Sequence, residues 1–265
     1  MSNYKSAFIG SMCLFLCALF LSTPVNAISN DAEAANKAGR QRMLSQRIAL
    51  NYFMIATNTE TAVATQRTDA SIAEFHSNLM ELRDYTKDPA TLALLDKEST
   101  LWGEYSTLAM SKPNLSQGLK VLLLSDQILA ACNDIVVKIT TKATSGIPRL
   151  VDTAGRQRMI SQRLGKYYFA MMWKVGDPSL EGNFLKVMQE FDTNMNILLQ
   201  SPENTPAINN ALKRVNADWG LSKAVFKQYK DGRFAPSIIA ATTESILKSM
   251  NDITGMYVAL AAVKK

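Results

Sequence analysis

One motif occurs twice in this chain, and the repeat limits the folds open to it. Residues 36–47 read NKAGRQRMLSQR and residues 152–163 read DTAGRQRMISQR, an offset of 116. Residues far beyond the motif recur at offsets of 116 to 118. So small a drift over most of each half indicates duplication of a whole domain. The matched pairs include Tyr52 and Tyr168, Phe53 and Phe169, Phe75 and Phe191, Pro89 and Pro206, Trp102 and Trp219, and Asn133 and Asn251.

Each copy is predicted to contain four helices. Between the Gly and Pro positions, apolar residues are spaced three or four apart, and no alternating strand pattern is present. The predicted fold is therefore all-α, with two tandem up-down four-helix bundles. We expect helices near residues 30–64, 69–86, 89–111 and 115–144 in the first copy, and near 149–175, 178–200, 206–230 and 236–263 in the second.

Prolines indicate where three of these helices begin. Asp88-Pro89, Asp177-Pro178 and Thr205-Pro206 each place a side-chain acceptor at the N-cap and a proline at the first helical position. An even number of helices returns the chain to its starting end. The short link at Gly146-Ile147-Pro148 should therefore place the two first helices side by side and parallel, with the bundles related by a pseudo-twofold axis.

The N-terminal residues have the features of a cleavable export signal. Lys5 supplies a positive charge, Ala7 to Leu21 form a short apolar segment, and Val25-Asn26-Ala27 is a small-x-small cleavage site. Because the apolar segment is shorter than the roughly 20 residues that span a bilayer, an uncleaved anchor is only the alternative reading. We predict a periplasmic protein that begins near Ile28. The predicted divisions are a signal peptide at 1–27, the first domain at 28–146 and the second at 147–265.

Composition narrows the classes of function. Only Cys132 follows the cleavage site, so no internal disulfide can form. Loss of Lys5 takes the net charge from +6 to +5, which is too small and dispersed to indicate nucleic acid as a partner. The single histidine, His76, has no nearby cysteine or serine constellation, and the sequence contains no Cys/His cluster. We therefore expect no enzymatic activity, no cofactor and no bound metal.

The motif places one arginine of each copy on a stripe of small residues. At about 100° per residue, Arg42 shares its helix face with alanines, and Arg158 lies on an equivalent face. If the first helices pack through these stripes, Arg42 and Arg158 meet in the seam, the name used here for the contact between those two helices. The stripe residues are Ala35, Ala38 and Ala49 in the first copy and Val151, Ala154 and Gly165 in the second.

Two guanidinium groups that face each other in a poorly solvated seam repel, so the pair requires an anion between them. The planar fork of each group suits a planar oxoanion such as nitrate, nitrite or a carboxylate. Arginines in helical proteins usually pair with carboxylates or extend into water, and this reading stays open. Asp31, three turns before Arg42 on roughly the same stripe, is a candidate counter-ion.

The remaining motif arginines have a different expected role. Arg40 and Arg47 lie on another face of the predicted helix, as do Arg156 and Arg163 in the second copy. They are expected to form salt bridges or surface contacts. They would then add positive potential near the seam as secondary binding residues without touching the ligand.

The motif also carries a family resemblance. The stretch A-G-x-x-R-M-x-S-x-R-(I/L) resembles the signature helix, or P-box, of the periplasmic sensor domains of nitrate/nitrite sensor histidine kinases. The longer AGRQRMLSQRI is similar to the N-terminal, PilJ-like domain of type IV pilus methyl-accepting chemotaxis transducers. In the kinases this helix meets its copy across a homodimer, and the motif arginine with nearby glycine backbone holds one nitrate. By motif position, the resemblance implies ligand binding by Arg42 and Arg158, with Gly39 and Gly155 as backbone contacts.

The sequence departs from the kinases in two respects. Arg40-Gln41 and Arg156-Gln157 stand where the kinases have small or apolar residues, which bears on ligand preference. The chain also shows no second membrane span, kinase or methyl-accepting region. The resemblance therefore implies a freestanding sensor for chemotaxis-type signal transduction. It would bind a small oxoanion and signal to a membrane-bound receptor, kinase or chemotaxis transducer.

Two alternatives stay open. In one, the protein is an interaction module whose seam is filled by its own carboxylates, and it docks on a pilus or chemotaxis-type receptor without a ligand. In the other, the copies do not face each other, and the protein dimerises in trans instead of being a monomer with an internal pseudo-dimer. Anion-dependent stabilisation that is lost in Arg42→Ala or Arg158→Ala distinguishes the sensor from the docking module.

Overall fold

The structure, a computed structural model, describes residue 28 and residues 31–140 and 146–263, and within these ranges it contains no β-strand. The prediction of an all-α fold is confirmed. The predicted signal peptide lies outside the described residues, and no described helix is long and apolar enough to cross a membrane. The helices are α1 (Asp31–Ala56), α2 (Thr61–Tyr85), α3 (Pro89–Met110), α4 (Leu115–Thr140), α5 (Ile147–Met172), α6 (Leu180–Leu199), α7 (Pro206–Lys227) and α8 (Pro236–Val263), with a short 3-10 turn at Gln228–Asp231.

The two motif helices, α1 and α5, lie at the centre of the molecule. In the first half, α1 packs on α2 and α4, and α3 packs on α4. In the second half, α5 packs on α6 and α8, and α7 packs on α8. The halves meet mainly through α1 against α5, so the seam forms as expected. This arrangement is compatible with two bundles about a pseudo-twofold axis, and that axis and the domain boundaries stay predictions.

Contacts along the seam give its direction. Arg42 of α1 contacts Asp152 near the start of α5, and the position of Gly165, later in α5, lies against Leu50, later in α1. A Cβ atom at Gly165 would lie 3.0 Å from Leu50 Cδ1. Early residues thus contact early residues and late contact late, which means that α1 and α5 run parallel.

The boundary between the first two helices was predicted wrongly. Helix α1 ends at Ala56 and α2 begins at Thr61, whereas the prediction was residues 64 and 69. Asn58 (φ 54°) and Glu60 (φ 45°) adopt left-handed conformations that end one helix and precede the next. The Thr57 hydroxyl donates to the Phe53 carbonyl oxygen at 2.8 Å, which satisfies an acceptor at the helix end. Because no glycine or proline marks this turn, the sequence pattern extended α1 through it.

Two of the three proline-marked helix starts are confirmed. Asp88 accepts a hydrogen bond from the Thr91 backbone N–H at 3.1 Å, and Thr205 accepts one from Ile208 at 3.3 Å. The start at Asp177-Pro178 was wrong, since α6 begins at Leu180. The Asp177 carboxylate instead accepts from the backbone N–H of Ser179 at 2.8 Å, which forms a turn ahead of the helix.

Aromatic pairs mark equivalent points in the two cores. Trp102 stacks on Phe75 with ring centroids 3.9 Å apart, and Trp219 lies over Phe191 at 4.3 Å. Both tryptophans are almost fully buried. Each pair joins the third helix of its half to the second.

Candidate functional site

The two motif arginines lie buried in the seam. Arg42 is 2% exposed and Arg158 is 4% exposed. Each guanidinium lies across a glycine of its own helix: a Cβ atom on Gly39 would come within 3.3 Å of Arg42 Nη2, and one on Gly155 within 3.1 Å of Arg158 Nη2. The glycines therefore leave the space that the guanidinium groups occupy. Their assignment as backbone contacts to a ligand stays a prediction.

Each arginine is held by an asparagine of its own half. Arg42 Nη1 donates to Asn133 Oδ1 on α4 at 3.3 Å, and Arg158 Nη1 donates to Asn251 Oδ1 on α8 at 3.0 Å. These asparagines are a repeated pair of the sequence, at an offset of 118. The sequence reasoning assigned them no role, although their exact repetition was a usable signal.

Each arginine also reaches across the seam to the opposite helix. Arg42 Nη2 donates to Asp152 Oδ1 at 2.7 Å, and Arg158 Nη2 donates to Asn36 Oδ1 at 3.2 Å. Asn36 and Asp152 are equivalent positions at an offset of 116. The two contacts are thus equivalent in position and different in charge, because Arg42 has a carboxylate partner and Arg158 has an amide.

Arg158 is consequently a buried cation with incomplete compensation. Among the described residues, no carboxylate lies within 4 Å of its guanidinium, and its Nε has no hydrogen-bond partner. Burial and the neighbouring cations Arg40 and Arg42 lower the pKa of Arg158 to about 10. Among the described residues, Arg42 Nε also has no hydrogen-bond partner. An added anion beside Arg158 would relieve this unfavourable electrostatic environment.

Asp31 is not the counter-ion of Arg42, contrary to the prediction. Its carboxylate accepts a hydrogen bond from the Tyr85 hydroxyl at 2.8 Å, and it borders a cavity of about 520 Å³ in the first half. At about 1.5 Å of rise per residue, the two positions on α1 are separated by about 16 Å, beyond the reach of the side chains. The carboxylate that Arg42 finds is Asp152, across the seam.

Two of the other motif arginines form ion pairs within their own halves. Arg40 pairs with Glu74 of α2, and Arg156 Nη1 lies 3.5 Å from Glu190 Oε1 of α6. The two glutamates are equivalent at an offset of 116. Arg40 and Arg156 are each more than a third exposed, so these pairs lie where the seam reaches solvent.

The last two motif arginines join the halves. Arg47 lies 3.0 Å from Glu244 of α8, and Arg163 lies 3.4 Å from Asp126 of α4. Asp126 also accepts from Lys166 Nζ at 2.8 Å, and the Lys166 side chain is fully buried. Burial lowers the pKa of Lys166 to about 8, although the Asp126 carboxylate opposes this shift. Lys166 occupies the position at which the first half has a leucine. The ion pairs at Asp126 and at Glu244 therefore differ in burial.

A buried glutamate lies beside the motif of the first half and was missed by the sequence reasoning. Glu98 is fully buried, accepts from Cys132 Sγ at 2.8 Å and accepts from Gln41 Nε2 at 3.4 Å. Burial raises the pKa of Glu98 to about 7. The second half has Val215 at this position, so the feature is confined to one half.

The seam gathers guanidinium and carboxamide groups, which are suited to recognition of an anion. His76, the histidine excluded as a catalytic residue, is exposed on α2 and lies outside the seam. Within the described ranges, no group of three or more histidines, cysteines and acidic residues is arranged to hold a metal ion.

Comparison with known proteins finds a similarity for part of the first half. Residues 25–127 match the family model described as the type IV pili methyl-accepting chemotaxis transducer N-terminal domain. This segment is therefore similar to that domain, as the resemblance implied. The match covers less than half of the chain and ends before the second motif, so the second copy stays a prediction. No curated protein and no solved structure matches the chain significantly.

Proposed function

We propose that this chain, whose first half is similar to a chemotaxis transducer N-terminal domain, is a non-enzymatic periplasmic sensor. It binds a small oxoanion, nitrate or nitrite, in the seam between α1 and α5. The observation that supports this proposal is Arg158, a guanidinium 4% exposed whose partners among the described residues are two asparagine oxygens and no carboxylate. A buried cation without a carboxylate partner is stabilised more by an added anion than a solvated cation is.

Signalling follows from the difference between the empty and the occupied seam. Without a ligand, Arg42 and Arg158 repel across the contact between α1 and α5. A bound anion beside Arg158 reduces this repulsion and favours a closer arrangement of the two helices. The change is then passed to a membrane-bound receptor, kinase or chemotaxis transducer. The periplasmic location rests on the predicted signal peptide, which the described residues do not include.

A second function is favoured by one specific contact. Asp152 already supplies a carboxylate to Arg42 at 2.7 Å, as expected for a seam filled by its own side chains. In that case the protein is a docking module for a pilus or chemotaxis-type receptor and has no ligand. This account explains Arg42 and leaves Arg158 without a counter-ion, which is why we prefer the sensor.

Thermal unfolding of the purified protein tests the proposal. The protein is scanned at constant ionic strength with millimolar nitrate, nitrite, sulfate or chloride, together with Arg158→Ala. A ligand at one hundred times its dissociation constant stabilises by about 2.7 kcal/mol. For a chain of this size that corresponds to a rise of roughly 5 to 10 °C in Tm.

A rise with nitrate or nitrite that disappears in Arg158→Ala is the expected result. An unchanged Tm with every anion favours the docking module. Sedimentation of the same protein then separates a monomer, with both arginines in one chain, from a dimer formed in trans.

A further inference from the structure

We propose that the seam is an asymmetric site for a single monoanion, in which Asp152 is the built-in counter-ion of Arg42 and the ligand binds on the Arg158 side, next to Asn36. Asn36 and Asp152 would then be the residues that determine how many anions bind and of what charge. This inference rests on the proposed function and specifies the ligand class for the same site.

The first support is the equivalence of the two cross-seam contacts. Asp152 Oδ1 lies 2.7 Å from Arg42 Nη2, and Asn36 Oδ1 lies 3.2 Å from Arg158 Nη2. The acceptors share one position of the repeat, so each arginine donates to an oxygen of the equivalent residue in the other half. Only one of these oxygens belongs to a carboxylate. The place of one anion is thus already taken by the chain itself, and the equivalent place next to Arg158 is not.

The second support is the charge of the ion pairs around the seam. The arginines are Arg40, Arg42, Arg156 and Arg158. Within 4 Å their carboxylate partners are Glu74, Asp152 and Glu190. Four positive charges face three negative ones, which leaves a single positive charge at Arg158. A monoanion such as nitrate or nitrite balances this charge, whereas a divalent anion such as sulfate would bring one negative charge too many.

The third support is the route by which an anion reaches each arginine. Asn36 is half-buried, and the Asp152 side chain is 34% exposed, so the seam meets solvent at this level. An incoming anion reaches Arg158 by displacing the neutral carboxamide of Asn36. To reach Arg42 it would have to displace a charge-assisted bond to Asp152, which is the stronger contact. The weaker contact of Asn36 and the stronger contact of Asp152 both favour binding of the ligand at Arg158.

Three variants test this assignment by calorimetric titration with sodium nitrate and sodium sulfate at constant ionic strength. Asn36→Asp supplies the missing counter-ion and should weaken nitrate binding by more than about tenfold, because a carboxylate then repels the anion. Asp152→Asn removes the existing counter-ion and should create a response to sulfate. The double variant, with both exchanges, keeps the net charge and makes Arg42 the arginine without a carboxylate partner, and it should retain nitrate binding without a sulfate response.

The outcomes separate the inference from the proposed function. If the unaltered protein binds nitrate and Asn36→Asp binds it equally well, the asymmetric assignment is overturned and the anion sensor stands. If the unaltered protein binds no anion, both are overturned. Asn36→Asp adds a counter-ion to a buried cation and should leave the fold intact, so the test does not depend on Asp152→Asn, in which Arg42 is left uncompensated.

Discussion

Asn36 and Asp152 occupy equivalent positions in the two halves, and each accepts a hydrogen bond from the motif arginine of the opposite half, at 3.2 Å and 2.7 Å. Elsewhere in the molecule, too, equivalent positions of the two halves carry residues of different chemistry. A lysine faces Asp126 where the other half has a leucine, and Glu98 is buried where the other half has a valine. Each difference leads to a measurement.

Gly155→Ala should reduce the response to anions without unfolding the protein. The new Cβ atom would lie 3.1 Å from Arg158 Nη2 and push the guanidinium away from its present position. Alanine is favoured over glycine within a helix by about 1 kcal/mol, which offsets the crowding. We therefore expect a free energy of unfolding that changes by about 1 kcal/mol or less, and a smaller nitrate-induced rise in Tm.

Gly182→Ala is the matched control for this glycine. Gly182 is also helical, and a Cβ atom there meets nothing within 4 Å. That variant should gain stability and keep the full anion response. If Gly155→Ala keeps the full response as well, the space above the glycine is not needed for binding.

The two ion pairs that join the halves should differ in their contribution to stability. Asp126→Asn leaves the fully buried Lys166 ammonium without its nearest carboxylate, which costs about 3 to 5 kcal/mol. Glu244→Gln acts on partly exposed arginines, with side chains 17% and 26% exposed, and costs about 1 kcal/mol or less. Urea unfolding of both variants gives the comparison, and equal losses would show that burial of the lysine does not matter.

Glu98 should make stability fall as the pH rises towards neutrality. Its pKa is raised from 4.5 to about 7 by burial, so the folded protein holds a proton that the unfolded chain releases. The contribution of Glu98 to the free energy of unfolding is therefore fully present below pH 4.5 and is lost as the pH rises through about 7. At about 1.4 kcal/mol per pKa unit, the loss amounts to about 3 kcal/mol.

Glu98→Gln should remove this dependence, since the amide does not ionise and keeps one oxygen to accept from Cys132. Urea unfolding at pH 5 and pH 8 is the measurement, with Glu104→Gln, an exposed residue of α3, as the control for charge. Parallel pH profiles for Glu98→Gln and the unaltered protein would contradict the assignment.

Gly165→Ala should destabilise the contact between α1 and α5. The added Cβ atom would lie 3.0 Å from both terminal carbons of Leu50 and 3.2 Å from Thr243 Cγ2, all within a buried interface. Overpacking of this kind costs about 1 to 3 kcal/mol. Adding Leu50→Ala removes the obstructing methyl groups, so a double-mutant cycle should show a favourable coupling between the two positions. If the losses in the free energy of unfolding are additive, the crowding caused by Gly165→Ala does not involve Leu50.

The repeat allowed most of the helices and both seam arginines to be predicted from the sequence. Its offset located the equivalent elements, and the two arginines that were placed on the small-residue stripes both lie in the seam. The turn at Asn58 was missed because left-handed residues other than glycine leave no strong pattern. Asp31 was proposed and Asp152 was not considered, because reasoning along one helix cannot weigh residues on its neighbour.

The partners of the arginines were beyond prediction for a related reason. Asn133 and Asn251 lie on the last helix of each half, and only packing brings them to the seam. Their repetition was visible in the sequence, as was the exchange of Asn36 for Asp152. The role of Asn36 and Asp152 required the parallel register of α1 and α5, which sets each of them opposite the other half's arginine.

Having both motif helices in one chain changes what a single substitution can do. In an assembly of two identical chains, every residue of a symmetric contact is encoded once and appears twice, so a charge introduced on one side is introduced on both. Here Asn36 and Asp152 are specified by separate codons, and each side of the seam can be adjusted alone. The chain can therefore keep a carboxylate partner for one arginine while the residue that faces the other arginine changes independently.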